Sequence, residues 1–92
     1  MADLTRHAKV RMQQRGISTV ALESLLRYGA EAHDHHGGTI VYFDKQARNR
    51  LLKGSGRRRY GEMEKKLNTY AVLSPDGAIV TVGHRQRRIR RT

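Results

Sequence analysis

The sequence predicts an α+β domain, in which an N-terminal helical hairpin packs on a small antiparallel sheet and an extra short helix lies in the middle. Two helical apolar patterns come first in the chain, and short runs of β-branched and aromatic residues follow. A Pro75-Asp76-Gly77 turn joins the last two of these runs. Helices and strands are thus segregated along 92 residues, which predicts one domain, 1–92, with a basic tail at 84–92.

Two short helices are expected at the N-terminus. The first runs from its capping residue Thr5 to about Arg15, and the second follows Ser18 and ends at Arg27 or Tyr28. A glycine follows each helix and can end it, namely Gly16 and Gly29. The expected core positions recur at helical spacing: Leu4, Ala8 and Met12 in the first helix, and Ala21, Leu22, Leu25 and Leu26 in the second.

Two strands are expected next. The weaker pattern covers 32–36, a Gly37-Gly38 turn follows it, and 39–43 forms a strong pattern of β-branched and aromatic residues. Such residues fit the half-buried surface of a pleated sheet.

A third, short helix is expected after these strands. Asp44 can cap it, it runs over 45–53, and Gly54-Ser55-Gly56 is expected to break it. The charged stretch 57–68 that follows is either a mobile basic loop or a loop with some helix over 62–67. The inward positions of the third helix are expected to be Ala47, Leu51 and Leu52.

The closing hairpin is the clearest pattern in the chain. Residues 69–73 and 78–83 flank the turn 74–77, where Pro presets φ and Gly takes a left-handed conformation. This predicts a type I turn followed by a Gly bulge. The register that follows pairs Leu73 with Ile79, Val72 with Val80 and Tyr70 with Val82. By alternation, His84 leaves the strand on the side of Val80 and Val82, and Arg85 on the side of Ile79 and Thr81.

The chain is strongly basic. Lys and Arg total 19 against 8 Asp and Glu, which gives a formal net charge of +11 and a pI of about 11.1. This charge favours nucleic acid or the ribosome as a partner, ahead of an acidic protein or an anionic membrane surface. Cysteine is absent, which excludes disulfides, zinc–thiolate sites and thiol catalysis. No apolar run has the length of a secretory signal or a membrane helix, so a cytoplasmic protein without a membrane partner is expected.

Both ends of the chain carry a family pattern. Residues 7–17 read HAKVRMQQRGI, which resembles the opening H-A-x-x-R-M-x-x-R-G-I of the uncharacterised family numbered 4258 among domains of unknown function. Residues 76–85 read DGAIVTVGHR and are similar to the D-G turn and V-T-V-like strand with which that family closes. The stretch 44–68 matches less well, as expected of an insertion that carries the extra helix.

That family resembles the RelE/ParE and BrnT toxin fold, whose members are often metal-independent ribonucleases. The resemblance implies a RelE-like domain, with a small sheet packed on a helical hairpin, and RNA as its substrate. It directs attention to five residues of this chain: His7, Arg11, Arg15, His84 and Arg85.

Two His–Arg pairs are the candidate catalytic residues. His7 and Arg11 share one helix face at i, i+4 spacing, where the guanidinium opposes protonation of the imidazole. A helix-packing motif is the alternative for this pair. His84 and Arg85 lie at the end of the last strand, where a histidine can exchange protons and an arginine can hold a phosphate. Tyr70 is a weaker candidate, because a tyrosine in a sheet is more often part of the core.

Two basic runs extend the candidate RNA surface. They neutralise phosphates without sequence preference, and an aromatic neighbour can stack on a base. The nucleic-acid-binding candidates are Arg15, Arg57, Arg58, Arg59, Tyr60, Arg87, Arg88, Arg90 and Arg91. A solvated tail is the alternative for each run, and an acidic, antitoxin-like partner protein could cover both.

A histidine cluster raises a metal hypothesis that the sequence does not favour. His33 and His35 alternate on one strand face and His36 follows, but no third ligand is visible locally. A polar edge strand is the preferred interpretation, so neither a metal nor another cofactor is expected.

The leading hypothesis is an RNA-binding protein of toxin type that acts as a metal-independent ribonuclease. In that reaction a base activates the ribose 2′-hydroxyl, which attacks the adjacent phosphate. The alternatives are a non-catalytic module that binds nucleic acid or the ribosome, and an interaction module for an acidic partner. The sequence leaves the oligomeric state open.

Overall fold

The computed structural model describes residues 4–33 and 37–85 of the chain. In chain order its elements are α1 (Arg6–Gln14), α2 (Thr19–Tyr28), β1 (Ala30–His33), β2 (Thr39–Tyr42), α3 (Lys45–Met63), a short 3₁₀ turn (Glu64–Lys66), β3 (Thr69–Leu73) and β4 (Ile79–His84). The strands form one antiparallel sheet in the order β1-β2-β3-β4. The α+β class predicted from the sequence is confirmed.

Side-chain caps set the start of each of these helices, as the sequence predicts. Thr5, Ser18 and Asp44 each accept a hydrogen bond from the backbone N–H three residues further on, at 3.2, 3.1 and 2.7 Å. Each cap satisfies a backbone donor that the first helical turn leaves without an internal partner. After α1, Gly16 adopts a φ of 63°, a left-handed conformation that suits glycine.

Gly29 ends α2, as expected. Its φ of −65° is not left-handed, so conformational freedom is not what requires glycine here. A Cβ at this position would lie 2.5 Å from the carbonyl oxygen of Leu25 and 2.7 Å from Cγ1 of Val41. Glycine is needed because the end of α2 approaches β2 so closely.

The strands lie close to their predicted positions. β3 has the predicted bounds, and β2 ends at Tyr42, before the expected Phe43. β1 begins at Ala30, earlier than expected, and the rest of the predicted strand, 34–36, lies outside the described residues. β4 extends to His84, beyond the expected Gly83.

The third helix is interrupted at Gly56, within the run expected to break it, but the loop predicted at 57–68 is wrong. Helical structure continues to Met63 across a kink at Gly56, whose φ of 86° and ψ of 168° are not helical. The break therefore falls on one glycine and not on the whole run 54–56. Met63 and Leu67 are buried in the core. Burial of these two side chains holds the helical segment after the kink against the domain. Helix propensity along the sequence does not predict this packing.

The last hairpin has the predicted turn. The N–H of Gly77 donates to the carbonyl oxygen of Ser74 at 2.9 Å, and Gly77 has a φ of 87°. The left-handed glycine after Pro75 and Asp76 is confirmed.

The predicted register of this hairpin is wrong beyond the first pair. A β-bulge leaves Val80 out of the ladder, so every later partner is shifted by one residue. Ile79 and Val82 are three positions apart and would point to opposite faces of a regular strand. Because Val80 is skipped, both are buried in the core. The observed pairs are Leu73 with Ile79, Val72 with Thr81, Ala71 with Val82, Tyr70 with Gly83 and Thr69 with His84.

The helices lie on one face of the sheet. The row Val41, Ala71 and Val82, which pair across β2, β3 and β4, is buried together with side chains from all three helices. Leu52, expected inward, is instead 36% exposed. None of the helices within 4–33 and 37–85 is long and apolar enough to cross a membrane. The remaining buried members of the core are Ala8, Ile17, Ala21, Leu22, Leu25, Phe43, Ala47, Leu51, Met63, Leu67 and Ile79.

The N-terminal segment covers the outer edge of β4. Leu4 forms a parallel bridge with Ile79, and the N–H of Thr5 donates to the carbonyl oxygen of Ile79 at 3.0 Å. α1 then packs along β4, whereas α2 packs on β3 and α3. The first helix and the last strand are therefore neighbours in space.

Candidate nucleic-acid interface on the sheet

The sheet face turned away from the helices carries two tyrosines and a glycine in one row. Tyr42 on β2 pairs with Tyr70 on β3, and Tyr70 pairs with Gly83 on β4. Paired residues point to the same side of a sheet, and this row alternates with the buried row of Val41, Ala71 and Val82. We call this side, marked by Tyr42, Tyr70 and Gly83, the tyrosine face.

Arg15 reaches the tyrosine face from the end of α1. It is the C-cap of that helix, and its Nη1 donates a 2.8 Å hydrogen bond to the carbonyl oxygen of Val82 at the edge of β4. The residue is exposed despite this contact. A guanidinium carries several N–H donors in a rigid plane, so this bond orients the group without using all of its donors.

Gly83 makes room for that guanidinium. A Cβ at Gly83 would clash with Nη1 of Arg15, and it would lie 3.0 Å from both Cε1 and the hydroxyl oxygen of Tyr70. The guanidinium of Arg15 and the hydroxyl of Tyr70 therefore lie on either side of the space above Gly83. Any side chain at position 83 would have to displace one of them.

Arg85 occupies the same face from the other end of the chain. Its backbone N–H donates to the carbonyl oxygen of Asn68 at 2.8 Å, which fixes the residue just beyond β4. Its Nη2 donates to the carbonyl oxygen of Phe43 at 2.5 Å, and its Cζ lies 5.6 Å from the centroid of the Tyr42 ring. The second distance is within the range of a cation–π contact. Tyr42 is only 2% exposed, so it supports Arg85 and does not offer a surface to a base.

Two arginines from opposite ends of the chain thus share the tyrosine face. Tyr42 and Tyr70 are cross-strand neighbours, so Arg85 and Arg15 flank a single pair of rings. Guanidinium groups held in this way can bind anionic oxygens. Tyr70 is half-buried and adds a hydroxyl and part of a ring to the same surface.

His7 and Arg11 meet on α1, as their spacing predicts. Nε of Arg11 donates to Nε2 of His7 at 3.4 Å, and Nη1 of Arg11 donates to Oε1 of Gln14 at 3.1 Å. In this geometry the ring nitrogen of His7 is the acceptor. These hydrogen bonds stay within α1, and none of them reaches Arg85 or His84.

His84 leaves β4 on the other side of the strand from Arg85. It pairs with Thr69 and is exposed. By alternation it follows Val82 toward the helix-bearing side, whereas Gly83 and Arg85 belong to the tyrosine face. Of the four predicted catalytic residues, Arg85 is the one whose described contacts lie on the tyrosine face.

The basic run of Arg57, Arg58 and Arg59 lies on α3, beyond the kink. All three residues are exposed, and Nε of Arg59 lies 3.7 Å from Oε2 of Glu62. Tyr60 is half-buried and packs against the core from the helix layer. This run belongs to the helix layer, across the sheet from the tyrosine face. The predicted binding residues Arg87, Arg88, Arg90 and Arg91 lie outside the described residues.

His33 is the described member of the predicted histidine cluster. Its Nδ1 lies 3.4 Å from Oγ1 of Thr39, its partner on β2. His35 and His36 lie outside the described residues. Among residues 4–33 and 37–85, no group of three or more His, Cys, Asp or Glu side chains is arranged to hold a metal ion.

Sequence reasoning missed two parts of the tyrosine face. A glycine inside a strand pattern often marks a place where another group approaches the backbone closely, so the strand position of Gly83 was the available signal. The carbonyl oxygen of Val82 has no sequence signature, because every residue supplies one. Tyr70 is only a weaker candidate from the sequence, because a tyrosine in a sheet is more often part of the core; the structure pairs it with Gly83 and leaves it half-buried.

The fold and this face define a class: a small, basic α+β domain with an arginine–tyrosine sheet surface. The family model for the domain of unknown function DUF4258 matches residues 4–84. The chain therefore belongs to that family, in agreement with the motifs at both of its ends. No curated protein and no solved structure matches the chain.

Proposed function

We propose that this protein binds RNA on the tyrosine face and cleaves it as a metal-independent ribonuclease of toxin type. The observation that carries the proposal is the pair of guanidinium groups, Arg15 and Arg85, held on one sheet face beside Tyr70 and Tyr42. The same proposal assigns the domain to a RelE-like fold with an N-terminal helical hairpin.

Guanidinium groups on a shared face suit a phosphodiester backbone. Arg15 and Arg85 are both anchored to backbone carbonyl oxygens, those of Val82 and Phe43. Anchoring in advance lowers the entropy cost of ordering a long side chain when an anion binds. The net charge of +11 attracts a polyanion over a longer distance, so binding is expected to weaken steeply as salt is added.

Tyr70 favours a single-stranded RNA. Its half-buried ring lies beside Arg15, and stacking of a base on an aromatic ring contributes ~1–3 kcal/mol. The bases of a double helix are stacked on each other and are not free to make this contact.

Cleavage on this surface needs proton transfer and charge stabilisation. The ribose 2′-oxygen attacks the adjacent phosphorus, the bond from phosphorus to the 5′-oxygen breaks, and the leaving oxygen takes up a proton as the 2′-hydroxyl loses one. We assign the acid to the Tyr70 hydroxyl and stabilisation of the phosphorane to Arg85 and Arg15, which share this face. The base is assigned to His84 or His7, whose described positions lie off the tyrosine face. A well-placed acid or base contributes ~10²–10⁴-fold to the rate.

RNA binding is tested by fluorescence anisotropy with a labelled single-stranded RNA at several salt concentrations. Arg15→Gln and Arg85→Gln are expected to weaken binding and to lower the salt dependence by about one counterion each. Arg48→Gln is the matched control, because Arg48 is an exposed cation on α3 in the helix layer. If Arg48→Gln weakens binding as much as the other two, the tyrosine face is not the RNA site.

Cleavage is tested with end-labelled RNA, free and ribosome-bound, in the presence of EDTA. A 2′,3′-cyclic phosphate product is expected, and His84→Ala and Tyr70→Phe are expected to slow its formation without matching losses in RNA affinity. If the protein binds RNA and no product forms, the catalytic part of the proposal is wrong.

A non-catalytic RNA-binding module is the second candidate. One observation favours it: by strand alternation, His84 leaves β4 on the side opposite to the face on which Arg15 and Arg85 lie. An acid–base group must lie within hydrogen-bond reach of the proton that it moves. RNA binding that depends on Arg15, together with no effect of His84→Ala or His7→Ala on any RNA product, would favour this candidate.

A further inference from the structure

The outer edge of the sheet at β1 is open. Within the described residues β1 pairs only with β2, because the strand order places it at one side of the sheet. The opposite edge differs, since Leu4 and Thr5 are bonded to Ile79 along β4. Alternate N–H and C=O groups of β1 therefore point away from β2, in a direction in which another strand can pair with them.

The sequence of β1 does little to prevent such pairing. Natural edge strands are commonly protected by Lys, Pro or a β-bulge. β1 reads AEAH, and its register with β2 is regular over all four residues. The stretch 28–44 around it contains three acids and no Lys or Arg, in a chain whose net charge is +11. The strand itself therefore adds no repulsion between cations when two copies of this basic chain approach each other.

The two polar side chains of β1 are complementary to each other. Glu31 and His33 are exposed and lie on the same face of the strand, two residues apart. Glu31 forms no salt bridge within the described part of the chain. Nδ1 of His33 lies 3.4 Å from Oγ1 of Thr39, so the Thr39 hydroxyl can donate to Nδ1 and leave the ring N–H at Nε2. The edge thus presents an exposed acceptor and an exposed donor.

We propose that this protein forms a two-fold homodimer, in which β1 of one copy pairs antiparallel with β1 of the other and the axis passes through Ala32. In that register Ala32 lies opposite its own equivalent, and Glu31 of each copy lies opposite His33 of the other. Each carboxylate then accepts a hydrogen bond from an imidazole. An axis at Glu31 would instead oppose two carboxylates. Because β1 has four residues, the dimer is weak and depends on protein concentration.

A second copy fits this edge better than other occupants do. RNA has no ladder of peptide groups to pair with a strand, and Glu31 would repel its phosphates. An unrelated strand would need a donor opposite Glu31 and an acceptor opposite His33, and a second β1 supplies both in one register. The inference goes beyond the proposed RNA function and does not depend on it. Since opposite residues of paired strands share a face, the dimer has both tyrosine faces on one side of the joined sheets.

Self-association is measured by sedimentation velocity over a concentration series, at about 0.15 M ionic strength so that distant charges are screened. We expect a reversible equilibrium between monomer and dimer. Glu31→Lys is expected to weaken dimerisation by about tenfold or more, because it removes the acceptor from both symmetric contacts. Glu23→Lys is the matched control, because it makes the same charge change on an exposed residue of α2. Equal losses in the two variants, or a wild type that stays monomeric up to about 1 mM, overturn the proposal.

A mixture of two variants tests which residues face each other. His33→Glu alone is expected to weaken dimerisation, because it opposes two carboxylates in each contact. When this variant is mixed with Glu31→Lys, the introduced lysine meets the introduced glutamate, and the native His33 of one chain meets the native Glu31 of the other. Mixed dimers are therefore expected to be about tenfold or more tighter than the dimers of either variant alone. Absence of this rescue overturns the proposal.

Single cysteines test the position of the axis, because the chain has no cysteine of its own. Ala32→Cys places two thiols opposite each other, with Cα atoms ~4.5–5.5 Å apart, a distance that a disulfide can span. Ala30→Cys is the control on the same strand, since its two copies would lie ~13 Å apart along the paired strands. Oxidised glutathione is expected to cross-link the first variant and not the second. Cross-linking of both variants alike, or of neither, overturns the proposal.

Discussion

Arg15 and Val82 are joined by a 2.8 Å hydrogen bond from the guanidinium Nη1 to a backbone carbonyl oxygen. This bond links the end of α1 to the edge of β4 and holds a cation over Gly83. Neither element alone would fix the cation, because a solvated arginine side chain samples many rotamers. The tyrosine face therefore depends on the docking of the first helix against the last strand.

Gly83→Ala is expected to destabilise the protein and to weaken its binding to RNA. The added methyl group would clash with Nη1 of Arg15. Relief of the clash breaks the hydrogen bond to Val82, which contributes ~0.5–1.5 kcal/mol to the free energy of unfolding. Urea unfolding and RNA anisotropy measure the two effects. Gly61→Ala is the control, since a Cβ there meets nothing within 4 Å, and loss of RNA affinity in the control as well would contradict the prediction.

Gly56→Ala is expected to destabilise the fold by ~1–3 kcal/mol, because its φ of 86° and ψ of 168° lie in a region that only glycine adopts easily. Urea unfolding of the variant checks this value. Gly61→Ala again provides the comparison, because it lies in the helical segment after the kink and should stabilise by ~0.5–1 kcal/mol. A Gly56→Ala variant at least as stable as the wild type would mean that α3 has no such kink.

Leu51→Ala and Leu52→Ala are expected to differ strongly, although the residues are adjacent. Leu51 is fully buried, and Leu→Ala at such a site costs ~2–5 kcal/mol. Leu52 is 36% exposed, so its truncation should cost less than about 1 kcal/mol. Guanidinium chloride unfolding compares the two variants. Similar losses would show that α3 is rotated about its axis from the orientation described.

The hairpin turn is expected to lose stability in acid through Asp76. The hydroxyl of Ser74 donates to this carboxylate and, with the N–H of Ala78, holds the pKa of Asp76 below its ordinary value of 3.8. Because the pKa of Asp76 is lower in the folded protein than in the unfolded chain, its carboxylate stabilises the fold at pH values above the unfolded-state pKa. This stabilisation is lost as the pH falls through the folded-state pKa.

The stability advantage of the wild type over Asp76→Asn should therefore be complete near neutral pH and should shrink below about pH 4. Urea unfolding of both proteins over a pH series measures it. A difference between the two proteins that stays constant into strong acid would rule out this role for the carboxylate.

Local chemistry predicted the helix starts and the turn. Thr5, Ser18 and Asp44 cap helices in the structure as expected, because a cap is a contact between a side chain and a backbone group three residues away. The candidate site was predicted only in part. Arg15 and Arg85 were named from the two ends of the chain, but Gly83 and the carbonyl oxygen of Val82 were not.

The sequence by itself determined where the helices begin, which runs form strands, where the last turn lies and how strong the positive charge is. These properties depend on neighbours in the chain or on composition. Tertiary structure alone decided that α3 continues past Gly56, that Val80 is skipped in the β3–β4 ladder, and that Arg15 comes to lie over Gly83. Each of these features is stabilised by contacts between distant residues, whose free energies appear only when the chain has folded.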